Sequence, residues 1–424
     1  MFFPHEMDVL VVGAGPVGLF SALLLSKLGI RCTIIEQESR PAARSYGCVL
    51  HPSTLDLFDR IGLAEEVIAA GRKVERLAVY EGAERVGEVA LQNLPIRHPF
   101  WLVLPQSELE SLLLSHLPGP GVCWNYRLDE LEPGENRVRA IVERLGQTGQ
   151  GYGVADFEWT VVNRRSINAV FVIGADGITS RVRQSLSTEY IRLTSPEFFN
   201  VYEFTSNHEL GAEARLILTE GSIAAVWPML GKRVRWSVPV KLAEPFFPLR
   251  TKERVAWSIA EDMVEPTSLG IINDFIQRSA PWFRGAVEEV AWHDLVGFEQ
   301  HLVSSWGNGR VWLVGDAAHQ TFPLGVQSMN VGFTEAESLV EKLAAVLRDN
   351  APLELLSGYG ENCAAEWGHL LGQTARLIPR DQAAAWTHRY SQELLSSLPA
   401  AGDLLTELAP QLGFTFATLV PQTS

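Results

Sequence analysis

The sequence has 424 residues, a formal net charge of −15 at pH 7 and a hydrophobic fraction of 46%. This length allows two or three domains, or one large domain with a lobe. The negative charge argues against nucleic acid as a main partner, and no apolar run approaches the roughly 18 residues that a membrane-spanning helix needs. The four cysteines are widely spaced and form no C-x-x-C pair, so we expect no metal site, no disulfide framework and a cytoplasmic protein.

The first predicted unit is a strand, a glycine-rich turn, a helix and a second strand. MDVLVVG is apolar and β-branched, which is typical of a buried parallel strand, while PVGLFSALLLSKLG predicts a helix and IRCTIIE the next strand. The turn carries G-x-G-x-x-G at Gly13, Gly15 and Gly18. In such a turn the first glycine permits the tight bend, the second admits a pyrophosphate, and the third allows close packing of helix and strand.

The residues around this turn predict how a dinucleotide would bind. The first turn of the helix, at Pro16 and Val17, offers free N–H groups and the positive end of the helix dipole to phosphates. Glu36, followed by Gln37, lies about 18 residues beyond Gly18, close to the position of a carboxylate that accepts hydrogen bonds from a ribose. An acidic residue here argues against a 2′-phosphate, which favours FAD or NAD over NADP.

Two later strand-and-turn segments place aspartates where open α/β sheets bind ligands. VFVIGADGITSRVRQSL predicts a buried strand that ends at Asp176 and Gly177. GRVWLVGDAAHQTFPLGVQSMN predicts a strand that ends at Gly315 and Asp316, then a loop, and then a long helix from near Asn330. Either aspartate alone could simply cap a helix. Both together, after the glycine turn, indicate a ligand site at the carboxyl ends of the strands.

The motifs GAGPVG, GADG and GDAAH…PLGVQSMN, in this order, resemble those of the FAD-dependent aromatic hydroxylases. These are single-component flavoprotein monooxygenases of the para-hydroxybenzoate hydroxylase and salicylate hydroxylase type, and the resemblance covers roughly residues 7–350. It implies bound FAD, with NADH or NADPH as a transient co-substrate. The segments RSYGCVLHPSTLDLFDRIGL and LPQSELESLLLSHL also resemble family segments that approach FAD. The cofactor-binding residues that the resemblance implies are Gly13, Gly15, Pro16, Val17, Gly18, Glu36, Gln37, Arg44, Gln106, Asp176, Gly177, Gly315, Asp316, Pro323, Gly325, Ser328, Met329 and Asn330.

The loop after the third motif departs from the family pattern P-x-G-G-Q-G-x-N. Val326 and Ser328 stand where the family has glycines. A residue with a side chain is sterically possible at these positions if its φ angle stays negative. Backbone amides at Met329 and Asn330 are then expected to face the pyrimidine edge of the flavin.

The fold class expected from these segments is mixed α/β. A Rossmann-like FAD-binding domain takes residues 1–186 and 290–350, with 76–97 as a possible excursion to the substrate side. An inserted substrate lobe with an antiparallel sheet takes 187–289, and a helical region takes 351–424.

The resemblance implies a monooxygenase in which NADH or NADPH reduces FAD, dioxygen adds at flavin C4a, and the hydroperoxide oxygenates an aromatic, phenolic or polyketide-like molecule. The flavin carries the chemistry, while the protein excludes water and supplies hydrogen-bond donors. The candidate catalytic and pocket residues are His51 as a base, Pro323 at the flavin, and Tyr202, Trp227 and Arg235 on strands of the lobe. Core packing explains the last three equally well. The protein is expected to be a monomer or a homodimer.

Three alternatives remain open from the sequence. Flavin-dependent halogenases share the fold, but VRWSVPV matches only part of their W-x-W-x-I-P motif. A flavin dehydrogenase or reductase would share the first motif. A non-catalytic flavin- or ligand-binding regulator is the alternative from another class, and the complete set of cofactor motifs argues against it.

Overall fold

The computed structural model describes residues 6–41, 47–119, 121–150, 156–240 and 265–419. Within them the strands are β1 (Glu6–Val12), β2 (Cys32–Glu36), β3 (Val49–Leu50), β4 (Arg72–Val74), β5 (Arg76–Glu81), β6 (Glu84–Ala90), β7 (Trp101–Val103), β8 (Val122–Trp124), β9 (Tyr126–Pro133), β10 (Val138–Gln150), β11 (Asp156–Gly174), β12 (Tyr190–Arg192), β13 (Glu197–Thr205), β14 (Glu213–Thr219), β15 (Ser222–Pro228), β16 (Arg233–Val240), β17 (Val290–Phe298), β18 (His301–Val303), β19 (Gly307–Asn308), β20 (Val311–Leu313), β21 (His319–Gln320), β22 (Ala375–Pro379) and β23 (Phe414–Thr418). The α-helices are α1 (Pro16–Lys27), α2 (Pro52–Arg60), α3 (Ala64–Ala70), α4 (Gln106–Ser115), α5 (Arg181–Ser185), α6 (Glu265–Ser279), α7 (Gln327–Arg348), α8 (Ser357–Leu370), α9 (Ala385–Ser397) and α10 (Gly402–Leu408).

The glycine turn sits on a sheet whose central strands are parallel. The strands β8, β2, β1, β11 and β20 lie side by side in that order and all run in the same direction. Rings of Phe20 in α1, Phe58 in α2 and Phe333 in α7 meet edge to face, with centroids 5.1–5.6 Å apart. This arrangement confirms the Rossmann-like α/β fold that the first motif predicts.

A second, seven-stranded sheet has the order β17-β13-β16-β15-β14-β5-β6. It is antiparallel except where β5 runs parallel to β14, so the hairpin of β5 and β6 joins the strands of the expected substrate lobe. The expected boundary at residue 290 differs from the structure. β17 starts there and pairs with β13 from Glu197↔Phe298 onward, so this sheet extends to Phe298.

The seven-stranded sheet has two buried faces. Phe199, Val201 and Trp227 point to the core shared with the parallel sheet. Tyr202 and Trp236 point to a separate core that also includes residues of α6. The alternation of side chains along a strand produces this division.

Two regions differ from the sequence expectation in detail. The glycine-rich GQTGQGYG, in a polar stretch between two strand-like runs, predicts a hairpin loop. β10 and β11 form this hairpin and stay paired through Gln150↔Asp156, with 151–155 outside the described residues. The region after 351 holds α8, α9 and α10 together with an antiparallel pair, β22 and β23. The segment TKERVAWSIAEDMV, whose sequence predicts an amphipathic helix, lies outside the described residues. No described helix is long and apolar enough to cross a membrane.

Candidate cofactor and substrate site

The three glycines of the first turn have three different environments. Gly13 has φ +103°, and a Cβ there would lie 2.3 Å from the Ala175 carbonyl oxygen. A Cβ on Gly18 would lie 2.1 Å from the Gly13 carbonyl oxygen. A Cβ on Gly15 would have no atom within 4 Å. Space is therefore open at the glycine that a pyrophosphate would approach, at the N-terminus of α1, and this opening fits a dinucleotide.

The Glu36 carboxylate fastens the glycine turn to the end of β2. Its two oxygens accept hydrogen bonds from the backbone N–H groups of Ala14 at 2.8 Å and Glu38 at 2.9 Å. Burial raises the pKa of this carboxyl group. Carboxylate oxygens have further acceptor capacity, so a ribose hydroxyl can still donate to Glu36. Gln37 next to it is exposed.

Asp176 caps a helix. Its carboxylate accepts hydrogen bonds from the Ser180 hydroxyl at 2.5 Å and from the backbone N–H groups of Arg181 at 2.7 Å and Val182 at 3.2 Å. The helix-cap alternative therefore describes how this side chain is used. Gly177 beside it, with φ +71°, faces the cleft described next.

The three motifs meet at one cleft of about 280 Å³. Its wall contains residues from the glycine turn, the GADG turn, the GDAA turn and the loop that precedes α7. Nine of the expected cofactor residues line it: Gly15, Pro16, Val17, Gln106, Gly177, Asp316, Pro323, Ser328 and Met329. Arg44 lies outside the described residues. The donors at the α1 N-terminus and the open space at Gly15 suit FAD phosphates, and the apolar Pro323 and Met329 suit a flat ring.

The loop before α7 differs from the expectation at Val326. Its φ is +47° and its ψ is +37°, so the condition of a negative φ is not met at this residue. Val326 thus adopts a left-handed backbone conformation that glycine favours. Because valine is β-branched, this conformation is strained. Ser328 lies in the first turn of α7, which begins at Gln327, earlier than Asn330.

Side chains and the C-terminal region hold this loop in place. The Asn330 amide group donates to the carbonyls of Val49 and Val326, and its oxygen accepts from the His51 backbone N–H and the Thr54 hydroxyl, all at 2.7–2.8 Å. A Cβ on Gly325 would lie 2.7 Å from two carbonyl oxygens at the C-terminal end of α9, those of Ser396 and Leu398. Neither Gly325 nor Asn330 lines the cleft. Both determine where the cleft wall runs.

His51 belongs to the same support. Its Nε2 donates to the Gly325 carbonyl at 2.9 Å, and complete burial lowers its pKa to about 4. It lines neither the cofactor cleft nor the larger cavity described below. This placement supports a role in positioning the loop and gives no support to the expected role as a base.

A larger cavity of about 630 Å³ lies on the other side of the loop. The seven-stranded sheet supplies Phe199 and Ile223, the loop supplies Phe322 and Leu324, and the C-terminal region closes the remaining side. Phe322 lies in the walls of both the cavity and the cofactor cleft.

The expected pocket residues lie outside this cavity. Tyr202 stacks on His293 at 4.4 Å in the core on the far face of the sheet. Trp227 packs against Trp101, with ring centroids 6.5 Å apart. Arg235 is buried and forms an ion pair of 3.3 Å with Glu203.

The sequence reasoning missed the residues that do line the cavity. Phe199 follows from strand alternation, because it lies on the face opposite Tyr202, and Phe322 is adjacent to the recognised Pro323. The C-terminal residues Arg376 and Ser391 carry no signal in the sequence for this position. They reach the cavity only through the packing of β22 and α9.

The fold and the cleft define a dinucleotide-binding protein in which a second sheet stands beside the cofactor cleft. The sequence model of the family described as "FAD binding domain" matches residues 6–371. The chain belongs to this family, which confirms FAD as its cofactor.

Known proteins with similar sequences include monooxygenases. The chain is 28% identical to 6-methylpretetramide 4-monooxygenase of Streptomyces rimosus over 88% of its own length and 62% of that protein. It is 26% identical to pentachlorophenol 4-monooxygenase of Sphingobium chlorophenolicum over 96% of its own length and 77% of that protein. The chain thus spans about three fifths of the first of these relatives.

The fold also matches solved structures. The crystal structure of p-nitrophenol 4-monooxygenase from Pseudomonas putida has a TM-score of 0.71 and 20% sequence identity, with 97% of this chain and 99% of that chain covered. This match confirms the α/β fold class of FAD-dependent hydroxylases.

Proposed function

We propose that the protein is an FAD-dependent monooxygenase that uses NADH or NADPH and dioxygen to oxygenate an aromatic or polyketide-like small molecule. The observation that carries this proposal is the shared wall at Phe322, with the cofactor cleft on one side and the larger cavity on the other. A bound flavin and a substrate can therefore meet at this residue. FAD supplies hydride acceptance and oxygen activation when it is bound.

The chain's own residues bind, orient and exclude water. The N-terminus of α1 and the open position at Gly15 take the phosphates. Pro323, Met329 and Phe322 form an apolar boundary that keeps water from the reacting atoms. The hydrogen bonds of Asn330 fix the loop that carries them.

The lining of the larger cavity favours a flat apolar substrate with polar substituents. Phe199, Ile223 and Leu377 provide apolar surface, while Gln300 and Arg376 provide hydrogen-bond donors. The named relatives act on a pentachlorinated phenol and on a pretetramide, and these chemistries fit such a lining.

The free cysteines among the described residues are compatible with the reducing cytoplasm expected from the sequence.

Turnover with isotopically labelled dioxygen tests the proposal. The flavoprotein is incubated with NADH or NADPH, ¹⁸O₂ and a panel of phenols and polycyclic aromatic polyketides. We expect a product with one ¹⁸O atom and nicotinamide oxidation that accelerates with that compound. A chlorinated product in the presence of chloride would indicate a halogenase. Binding of compounds without nicotinamide oxidation would indicate a regulator, and oxidation without oxygen incorporation a dehydrogenase.

Two tryptophan substitutions on α9 test the location of the substrate. Ser391 lines the larger cavity, whereas His388 on the same helix is exposed and away from it. Ser391→Trp is expected to raise KM for the true substrate at least about tenfold, which corresponds to about 1.4 kcal/mol. His388→Trp is expected to leave KM unchanged. Equal KM values for both variants would place the substrate elsewhere.

A further inference from the structure

A chain of four hydrogen-bonding side chains leads from the cofactor cleft into the protein interior. Ser328 Oγ lies 2.8 Å from Asp316 Oδ1 and 3.1 Å from His319 Nδ1. His319 Nε2 lies 2.9 Å from Glu335 Oε2. Asp316 is open to the cleft, while His319 and Glu335 are 0% and 3% exposed.

The inner end of this chain has a defined proton arrangement. Besides His319, the Glu335 carboxylate receives the backbone N–H of Gly315 at 2.9 Å and the indole N–H of Trp367 at 2.8 Å. These two groups can only donate, so they favour the ionised carboxylate. His319 Nε2 therefore carries a proton and donates it to Glu335.

The outer end has two possible proton arrangements. The Ser328 hydroxyl has one proton and faces two partners, Asp316 and His319 Nδ1. If the hydroxyl donates to His319, the Asp316 carboxyl group must carry a proton and donate to Ser328. If the hydroxyl donates to Asp316, His319 must be an imidazolium that donates from Nδ1 to Ser328.

We propose that Asp316, Ser328, His319 and Glu335 form a relay that stores one transferable proton at the wall of the cofactor cleft. In one direction Asp316 gives its proton to Ser328 Oγ while the hydroxyl proton of Ser328 passes to His319 Nδ1. A neutral carboxyl group and a neutral imidazole become a carboxylate and an imidazolium, and Glu335 stays ionised and balances the imidazolium. Asp316 can thus supply a proton to the cleft, or take one from it, through the side chains behind it.

The serine is the residue that makes the connection. The FAD-dependent aromatic hydroxylases have a glycine at this position of the loop. In this chain, Ser328 places a hydroxyl group between the Asp316 carboxyl group and the His319 imidazole. Ser328 and His319 act through Asp316, so they are positioning residues for whatever Asp316 contacts in the cleft.

Neighbouring ionisable groups set the balance between the two arrangements. Although Asp316 opens to the cleft, desolvation of its carboxyl group by the surrounding protein raises its pKa, and the adjacent His319 opposes that shift. Tyr190 of β12 interacts electrostatically with Asp316. Cys363 and Glu366 of α8 face Glu335, and Trp367 stacks on His319 with ring centroids 4.0 Å apart.

Nitrogen NMR of the histidine rings tests the relay in the flavoprotein without turnover. The protein is labelled with ¹⁵N-histidine, the His319 signals are assigned by their loss in His319→Gln, and its two nitrogens are followed against pH. We expect Nε2 to show the ¹⁵N signal of a protonated nitrogen. Asp316→Asn is expected to move the Nδ1 signal toward that of an unprotonated nitrogen, because it removes the carboxylate that stabilises the imidazolium.

The serine is tested by repeating the comparison in its absence. In Ser328→Gly, the effect of Asp316→Asn on the Nδ1 signal of His319 is expected to fall to less than about half, since the linking hydroxyl is gone. Ser328→Thr keeps the hydroxyl and is expected to restore the full effect. Ser338→Ala, on the same helix, is the control and is expected to leave both nitrogen signals of His319 unchanged.

Two results would overturn the relay. One is that Asp316→Asn changes the His319 nitrogen signals by the same amount in the otherwise wild-type chain and in the Ser328→Gly variant. The other is a His319 ring whose Nε2 is unprotonated and whose Nδ1 carries the proton. If Ser328→Gly does not fold, the shift caused by Asp316→Asn and its persistence in Ser328→Thr decide the question. Because no oxygenation is measured, failure of the proposed function leaves this test valid.

Discussion

Alanine substitutions at two glycines of the first turn are expected to have opposite consequences. Gly18→Ala is expected to destabilise the fold, and Gly15→Ala to weaken FAD binding in a protein that is normally folded. The two positions are three residues apart and receive the same methyl group, so each variant is the matched control for the other.

The structure gives the size of each effect. The Cβ of Gly18→Ala would lie 2.1 Å from the backbone oxygen of Gly13, where ordinary contact begins near 3.4 Å, so β1 and α1 must separate. Such overpacking costs about 1–3 kcal/mol, out of a total stability of about 5–15 kcal/mol. Gly15 has φ −70° and ψ 177°, which alanine adopts freely, and its Cβ meets nothing within 4 Å. Its effect on the free energy of unfolding should stay within about 1 kcal/mol.

Thermal unfolding and FAD titration measure both effects. The apoproteins are compared by calorimetry or circular dichroism, and FAD binding is followed by quenching of flavin fluorescence. For Gly15→Ala we expect a Kd raised at least about tenfold, or about 1.4 kcal/mol, with an unchanged apoprotein Tm. A wild-type Kd for this variant would show that the pyrophosphate does not pass Gly15. A wild-type Tm for Gly18→Ala would refute the packing argument.

Three further predictions concern strain, a buried histidine and a buried ion pair. Val326→Gly should be more stable than Val326→Ala in thermal melts, because glycine relieves the strain of a left-handed backbone, about 1–3 kcal/mol. Alanine is usually the more stable of the two. A more stable Val326→Ala would therefore contradict the strain. Burial lowers the pKa of His51 to about 4, so the unfolded chain takes up a proton below pH 6.5 while the folded protein does not. The free energy of unfolding, from urea titrations, should therefore fall by about 3 kcal/mol more between pH 6.5 and pH 4 than in His51→Gln, and equal pH profiles would refute this. Arg235→Met should lower the free energy of unfolding by about 3–5 kcal/mol, because it leaves Glu203 unpaired. Adding Glu203→Leu should restore most of that free energy. If chemical denaturation shows no recovery in the double variant, the pairing argument is refuted.

The sequence predicted the features that depend on neighbouring residues in the chain. The glycine turn is one, since Gly13, Gly15 and Gly18 each satisfy a requirement of a single strand–turn–helix unit. The carboxyl-end positions of Asp176 and Asp316 are another, because parallel strands bring their ends to one edge of the sheet. Four strands of the seven-stranded sheet, β13 to β16, were also visible, as short apolar runs between turns.

The sequence could not predict which side of the sheet faces the cofactor. Strand alternation separates Tyr202 from Phe199, but it does not say which of the two faces the flavin domain. The strand that begins at Val290 carries no mark that assigns it to one sheet or the other. Its membership follows from pairing with β13, which is almost a hundred residues earlier in the chain.

The sequence by itself thus determined a dinucleotide-binding α/β protein, because its cofactor motifs are local and their spacing follows from backbone geometry. The tertiary structure decided the rest. It brought the C-terminal region against the loop at Gly325 to close the larger cavity, and it turned His51 into a support for that loop. It also placed Glu335 behind His319 and Ser328 in front of it. These contacts join segments that are distant in the chain, and only packing of the whole core fixes the distances between them.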